Sequence, residues 1–185
     1  MTMRCTLPPS GRAAASAAQF RAAIPVIETE RLSLRAPAMD DFPLWAEIFA
    51  EEEGDHLGGP LSDEDVWLSF AAYAASWLLQ GSGLFTVEHS GEPVGFVTLA
   101  LEWEDEEPEL GWLFPKRFQG QGFAFEAASA VRAMGAQLFG EGYFVSYIAP
   151  TNAASARLAA RLKASRDASA EARLGCQVWR HGSAS

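Results

Sequence analysis

The sequence has few of the residues that build disulfide frameworks or metal centres. Cys5 and Cys176 are its only cysteines, and they stand near opposite ends of the 185-residue chain. The three histidines, His56, His89 and His181, lie far apart and form no short-spaced metal-binding pair. The composition therefore argues against a disulfide-stapled fold, and no metal site is expected.

The sequence also lacks a long apolar run and an excess of basic residues. No uninterrupted apolar stretch reaches the length of about 20 residues that a membrane-spanning helix needs. Lysine and arginine number 14 against 24 aspartates and glutamates, which gives a net charge of −10. An acidic surface repels nucleic-acid backbones, so neither nucleic acid nor membrane is expected as a partner. The same charge favours cationic partners, although it can also serve solubility alone.

Residues 1–24 contain no acidic residue and are rich in alanine, serine and arginine. This composition resembles that of a transit peptide, but it lacks the continuous apolar segment of a secretory signal. We expect a poorly ordered or helical extension over 1–24, a single domain over 25–185 and a cytoplasmic location.

Hydrophobic periodicity divides the rest of the chain into alternating strands and helices. Helix caps are predicted at Asp40, at Asn152 and at Ser62, where Asp65 three residues on completes a capping box. Strands are predicted in 27–37, 84–89, 93–103, 109–114, 142–149 and 176–181, and helices in 39–50, 61–80, 123–138 and 152–162. Residues 51–60 are predicted to be a loop. The order β-α-α-β-β-β-α-β-α-β indicates a mixed α/β (α+β) domain.

The stretch "RFQGQGFAFEA", residues 117–127, joins a predicted strand to a predicted helix through two glycines. A strand, a basic glycine-rich turn and a helix form a common anion site, because backbone N–H groups and the helix N-terminus carry positive partial charge. A P-loop would need Lys and Ser or Thr after its last glycine, where Phe123 and Ala124 stand. A dinucleotide fingerprint would need a third glycine where Phe125 stands. A tight packing corner without a ligand is the remaining alternative.

Three segments together resemble the GNAT N-acetyltransferases. "QGQGFA" at 119–124 is similar to the family's Q/R-x-x-G-x-G/A signature, and "GQGFAFEA" resembles the subgroup that acetylates the N-termini of ribosomal proteins. "IETERLSLRAP" resembles that subgroup's opening strand, and "PTNAASARLAARL" resembles its N-x-x-S helix. The resemblance covers about residues 25–181. It implies an acyl-CoA N-acyltransferase fold, in which helices flank a twisted, mixed and mostly antiparallel central sheet.

The resemblance implies acetyl-CoA as the acetyl donor. The backbone of Trp112, Leu113 and Phe114 would then pair with the pantetheine arm, and Arg117 could add a contact to the pyrophosphate, unless it is a solvated loop cation. Asn152 would orient the cofactor, unless it is only a helix cap. The turn that would hold the pyrophosphate consists of Gln119, Gly120, Gln121, Gly122, Phe123 and Ala124.

The family transfers the acetyl group directly to an amine within a ternary complex. A base must deprotonate the amine, and Glu109 is the first candidate, with Glu102 and Glu104 as rivals. Any one of these could instead be an ordinary surface charge. Ser155, the serine of N-x-x-S, would donate to the departing thiolate, or it could be merely a small residue at a helix crossing. Relatives often carry a tyrosine later in this helix, where this chain has Ala159 and Ala160.

The acceptor is expected to be a primary amine, either a protein N-terminus or a small cationic molecule. Acidic "EWEDEEPE" and "EEEGD" could line its entrance, with Trp103 and Trp112 as walls. Lys163 stands where the family usually has a glycine, so the end of that helix is expected to be reshaped. The protein could be a monomer or a homodimer. A catalytically silent acyl-CoA sensor or scaffold is the alternative function, and a Rossmann-type nucleotide protein is a third.

Overall fold

Eight strands form one sheet in the computed structural model, which describes residues 3–50, 61–103 and 105–182. The strands are β1 (Ile27–Glu28), β2 (Leu32–Arg35), β3 (Leu84–His89), β4 (Glu92–Ala100), β5 (Glu109–Leu113), β6 (Val145–Ile148), β7 (Ser165–Arg166) and β8 (Gln177–Arg180). The helices are α1 (Gly11–Ala22), α2 (Phe42–Ala50), α3 (Asp63–Gln80), α4 (Phe123–Phe139), α5 (Ala153–Arg161) and α6 (Ala168–Leu174). The order of the strands in the sheet is β1-β2-β3-β4-β5-β6-β8-β7, and among these eight strands only β5 and β6 pair in parallel. The predicted mixed, mostly antiparallel sheet flanked by helices is confirmed.

Both faces of the sheet are covered, because alternate strand residues point to opposite sides. On one face, Val97, Leu99 and Leu110 pack against Ala127 and Val131 of α4. On the other face, Phe96 and Leu84 pack against α2 and α3, where Trp45 is fully buried among aromatic rings. No helix in the described part of the chain is long and apolar enough to span a membrane.

Strands β5 and β6 separate after a single residue pair, Glu109 with Val145. Just beyond it, the Ser146 hydroxyl donates to the Leu110 carbonyl and accepts from His181 Nε2 at 2.8 Å. Burial lowers the pKa of His181 to about 4, so the imidazole stays neutral at physiological pH. The two strands therefore form a fork whose base is fixed by side chains and whose open end points toward α4 and α5.

Local structure follows the sequence pattern with three differences, of which the first is that the strand predicted over 27–37 is divided into β1 and β2. The Ser62 hydroxyl accepts from Asp65 N–H, as the capping box predicts. The predicted cap at Asp40 is wrong, because a 3-10 turn occupies Met39–Asp41 and the Asp41 carboxylate accepts from the Ala38 N–H. Sequence periodicity also missed β7 and α6, which are only two and seven residues long.

Candidate active site

The turn between β5 and α4 has the backbone geometry that its two glycines permit. Gly120 and Gly122 have φ of +71° and +84°, the left-handed region that L side chains rarely adopt. A Cβ at Gly122 would also lie 3.2 Å from Arg31 Nη2. Within the described residues, the N–H groups of Gly120 and Gly122 donate to no other group. The turn therefore presents unpaired donors beside the N-terminus of α4, which is a suitable cradle for an anion.

This turn forms one wall of a cavity of about 750 Å³. Strand β5 forms a second wall, and the loop before α5 together with α5 forms a third. All the predicted cofactor-binding residues except Arg117 line it: Trp112, Leu113, Phe114, Gln119, Gly120, Gln121, Gly122, Phe123, Ala124, Asn152 and Ser155. The structure thus brings together, around the open end of the fork, two segments about 30 residues apart in sequence.

Two arginines near the cavity differ from expectation. Arg117 forms an ion pair with Glu47, lies over the Phe118 ring and does not line the cavity. Arg161, which sequence reasoning missed, does line it, with its guanidinium 4.3 Å from the centre of the Phe125 ring. Among the residues that the structure describes, no carboxylate pairs with Arg161. Arg161 is therefore the cation available to a phosphate at this cavity.

The start of α5 places Asn152 and Ser155 beside β5. Asn152 Oδ1 caps the helix by accepting from the Ser155 N–H at 3.0 Å. Trp112 Nε1 lies 3.2 Å from Ser155 Oγ. Because the indole nitrogen can only donate, the serine oxygen accepts this bond and its own hydrogen remains free for another group.

The far end of α5 keeps the geometry expected for a glycine. Lys163 has a φ of +62°, and the N–H of Ala164 donates back to the Ala159 carbonyl at 3.1 Å. The expected reshaping of this helix end is wrong. The lysine instead adopts the left-handed conformation directly, at a cost of about 1 kcal/mol.

Glu109 lies at the base of the fork, three residues before Trp112 and outside the cavity lining. Its Oε1 accepts from the Tyr147 N–H at 3.3 Å. Burial, followed by the charges of Glu102 and Asp105, raises the pKa of Glu109 to about 8. A carboxyl group with such a pKa can exchange protons near neutral pH.

Three carboxylates gather at this end. Oxygens of Glu102, Asp105 and Glu109 lie within 4.8 Å of one another. The Tyr73 hydroxyl bonds to Glu102, and burial together with these carboxylates raises the pKa of Tyr73. Desolvation also raises the pKa of Glu102 and of Asp105. So close a group of acids favours a cation, either a metal ion or an ammonium group.

Other predicted features of the entrance stand apart from this cluster or outside the described residues. The Trp103 side chain is 99% exposed, so it forms no wall, whereas Trp112 lines the cavity. Glu104 and the acidic segment 51–60 lie outside the described residues.

Glu126, in the first turn of α4, has a closed set of partners. Its Oε1 accepts from the Thr29 hydroxyl at 2.6 Å and from the Arg31 N–H at 2.9 Å, and its Oε2 accepts from Arg31 Nε at 2.7 Å. Burial acts to raise the pKa of Glu126, but these hydrogen bonds outweigh it and hold that pKa below its usual value. Thr29 and Arg31 come from the loop between β1 and β2.

The comparisons with known proteins agree on one family. The family model described as acetyltransferase (GNAT) domain matches residues 31–165. An acetyltransferase from Agrobacterium tumefaciens is 32% identical, with a TM-score of 0.78 over 85% of this chain and 94% of that chain. A GNAT-family acetyltransferase from Bordetella pertussis is 27% identical, with a TM-score of 0.67 over 84% of this chain and 97% of that chain.

More distant structures share the fold. An acetyltransferase from Salmonella typhimurium, which modifies the N-terminal serine of a 50S ribosomal subunit protein, is 19% identical. Its TM-score is 0.62 over 77% of this chain and 86% of that chain. No curated protein sequence matches this chain.

Proposed function

The chain belongs to the GNAT family of acetyltransferases, and from that premise we propose that it acetylates a cationic primary amine directly within a ternary complex. Membership confirms the resemblance of the three sequence motifs and makes the protein an acetyl-CoA-dependent N-acetyltransferase. The observation that carries the proposal is the cavity, which has unpaired backbone donors at one end and is walled by β5, the strand that begins at Glu109 of the carboxylate cluster.

The residues around the turn fit the phosphate end of coenzyme A. The N–H groups of Gly120 and Gly122 have no partner in the described residues, and the N-terminus of α4 adds a favourable dipole. We assign the pyrophosphate to this turn and a further phosphate contact to Arg161, which lines the same cavity. Arg117 is the weaker candidate, because Glu47 already pairs with it.

The pantetheine arm fits the fork between β5 and β6. Beyond Glu109 the edge of β5 has no strand pairing with β6, so the backbone of Trp112, Leu113 and Phe114 can accept an added extended chain. Asn152 caps the start of α5, and the bond from Trp112 to Ser155 holds that helix start beside this edge. Acetyl-CoA, when bound, supplies the thioester that the amine attacks.

On this proposal Glu109 accepts the amine proton, and Ser155 stabilises the departing thiolate by a hydrogen bond. An amine must lose its proton to attack, because ammonium has no free electron pair, and Glu109 with a pKa of about 8 can accept that proton. The C–N bond forms as the C–S bond breaks. The Ser155 hydroxyl, whose oxygen accepts from Trp112, can donate a hydrogen bond to the sulfur, which leaves as the thiolate.

The acceptor is proposed to carry more than one positive charge. Glu102, Asp105 and Glu109 form a compact acidic group, and Arg173 and Arg180 pair with the neighbouring acids Glu106 and Glu107 rather than with this group. A cationic amine would offset the cost of burying these three carboxylates, which raises their pKa values, and the repulsion of Glu109 by its two acidic neighbours.

A thiol-release assay with acetyl-CoA tests this function across peptides with free N-termini, polyamines, aminoglycosides and monoamines. We expect turnover with amines that bear a second positive charge and little with monoamines of similar length. Peptides with acetylated N-termini and reactions without acceptor serve as controls. Failure to bind coenzyme A overturns the proposal, and binding without turnover on any amine would indicate a silent acyl-CoA module.

A further inference from the structure

We infer that Arg31, which does not line the cavity, is a positioning residue for the phosphate-binding turn. It fixes the peptide between Gln121 and Gly122 so that the Gly122 N–H faces the cavity. This inference rests on the proposed function, because it assigns the pyrophosphate of acetyl-CoA to the turn. It concerns how a loop about 90 residues earlier in the sequence prepares that site.

The trans peptide between Gln121 and Gly122 links the Arg31 contact to the direction of the Gly122 N–H. Arg31 Nη1 donates to the Gln121 carbonyl at 3.1 Å, and the structure has no cis peptide bond among its described residues. In a trans peptide the C=O and the following N–H point in opposite directions. Holding the Gln121 oxygen toward Arg31 therefore turns the Gly122 N–H away from Arg31, and Gly122 lines the cavity.

Gly122 leaves room for this arrangement. A Cβ there would lie 3.2 Å from Arg31 Nη2, tighter than ordinary van der Waals contact, and the φ of +84° independently disfavours a side chain. The same guanidinium lies 5.0 Å from the centre of the Phe123 ring, at the first residue of α4. Arg31 thus contacts Gln121 and Phe123 on either side of Gly122, and it occupies space that a side chain at position 122 would need.

Arg31 also neutralises the charge of Glu126 beside the turn. Glu126 lies in the first turn of α4, where its negative charge would repel a pyrophosphate approaching the same helix end. Arg31 pairs with Glu126 through Nε at 2.7 Å and through its own backbone N–H. The pair holds the guanidinium in place and cancels the carboxylate charge next to the anion site.

The test compares Arg31→Gln and Arg31→Lys with the wild type, using acetyl-CoA and acetyl-pantetheine as donors. Acetyl-pantetheine lacks the pyrophosphate. We expect Arg31→Gln to raise KM for acetyl-CoA about tenfold, with kcat at saturation within twofold, and to leave KM for acetyl-pantetheine unchanged. Arg31→Lys should resemble Arg31→Gln, because a lysine lacks the fork that reaches Glu126 and Gln121 together.

Arg12→Gln is the matched control, since it removes the same charge from an exposed position on α1. Equal KM increases for both donors in Arg31→Gln would overturn the inference, because they would indicate general damage to the fold. Full rescue by Arg31→Lys would also overturn it and show a simple charge effect. If the wild type does not bind coenzyme A, the proposed function itself fails, which is a separate result.

Discussion

Glu126 and Glu109 lie near opposite ends of the candidate active site, and their surroundings shift the carboxyl pKa in opposite directions. Glu126 accepts hydrogen bonds from Thr29 and Arg31, which outweigh burial and keep its pKa low. Glu109 is raised to a pKa of about 8 by burial and by two neighbouring acids. Both residues lie in the first turn or at the first position of an element that lines the cavity, yet among the described residues only Glu126 has a cation beside it.

The difference teaches that burial and the supply of donors together separate a structural carboxylate, Glu126, from the proposed base, Glu109. Burial acts on both glutamates in the same direction. At Glu126 every oxygen is engaged, so the group stays ionised and stabilises the turn. At Glu109 the Tyr147 N–H is the hydrogen-bond donor among the described residues, so the proton equilibrium lies within reach of catalysis.

The largest expected effect comes from Glu109→Gln. If Glu109 is the base, this change should lower kcat by about 10²–10⁴-fold, because the amide cannot accept the proton. Coenzyme A affinity, measured by calorimetry, should stay the same. Glu126→Gln at the other end should instead raise KM for acetyl-CoA and largely preserve kcat at saturation. A Glu109→Gln enzyme with turnover within threefold of wild type would contradict the comparison.

The pH dependence of activity sharpens the same contrast. A base with a pKa of about 8 is protonated below that pH, so kcat/KM should fall as the pH drops through this value. Glu102→Gln removes the carboxylate whose charge has the larger influence on Glu109, so the acidic limb should move to lower pH by about 0.5–1 unit. One acceptor is used throughout, so its own titration cancels.

Asp105→Asn should shift that limb in the same direction and by a smaller amount, following the smaller influence of its charge on Glu109. Limbs that coincide in all three proteins would show that Glu109 does not control the profile.

The smallest expected effect concerns the end of α5, a helix that forms one wall of the cavity. Lys163→Gly should raise the free energy of unfolding by about 0.5–1 kcal/mol, because glycine takes a φ of +62° without steric cost. Urea denaturation measures this, with Lys163→Ala as the control that keeps a Cβ. Equal stability of the glycine and alanine variants would show that the lysine conformation is unstrained.

Local motifs predicted the cavity walls well, because each wall is a continuous segment whose backbone geometry follows from its own residues. The turn at 119–124 and the cap at Asn152 are of this kind. Side chains that reach across the fold were not predictable. Arg31 meets Glu126 at a separation of 95 residues, and Arg161 enters the cavity only because α5 packs beside α4. The partner of Arg117, Glu47, likewise comes from a distant helix.

The fork between β5 and β6 also bears on how the chain holds together. Strands β1 to β5 are joined to strands β6 to β8 by a single residue pair, Glu109 with Val145, and by the hydrogen bond from the Ser146 hydroxyl to Leu110 at the base of the fork. A donor lying in that gap would act as a strand between two partial sheets. Binding would then make the halves unfold together more cooperatively, so the acetyl donor would be, for as long as it stays, part of the protein's architecture.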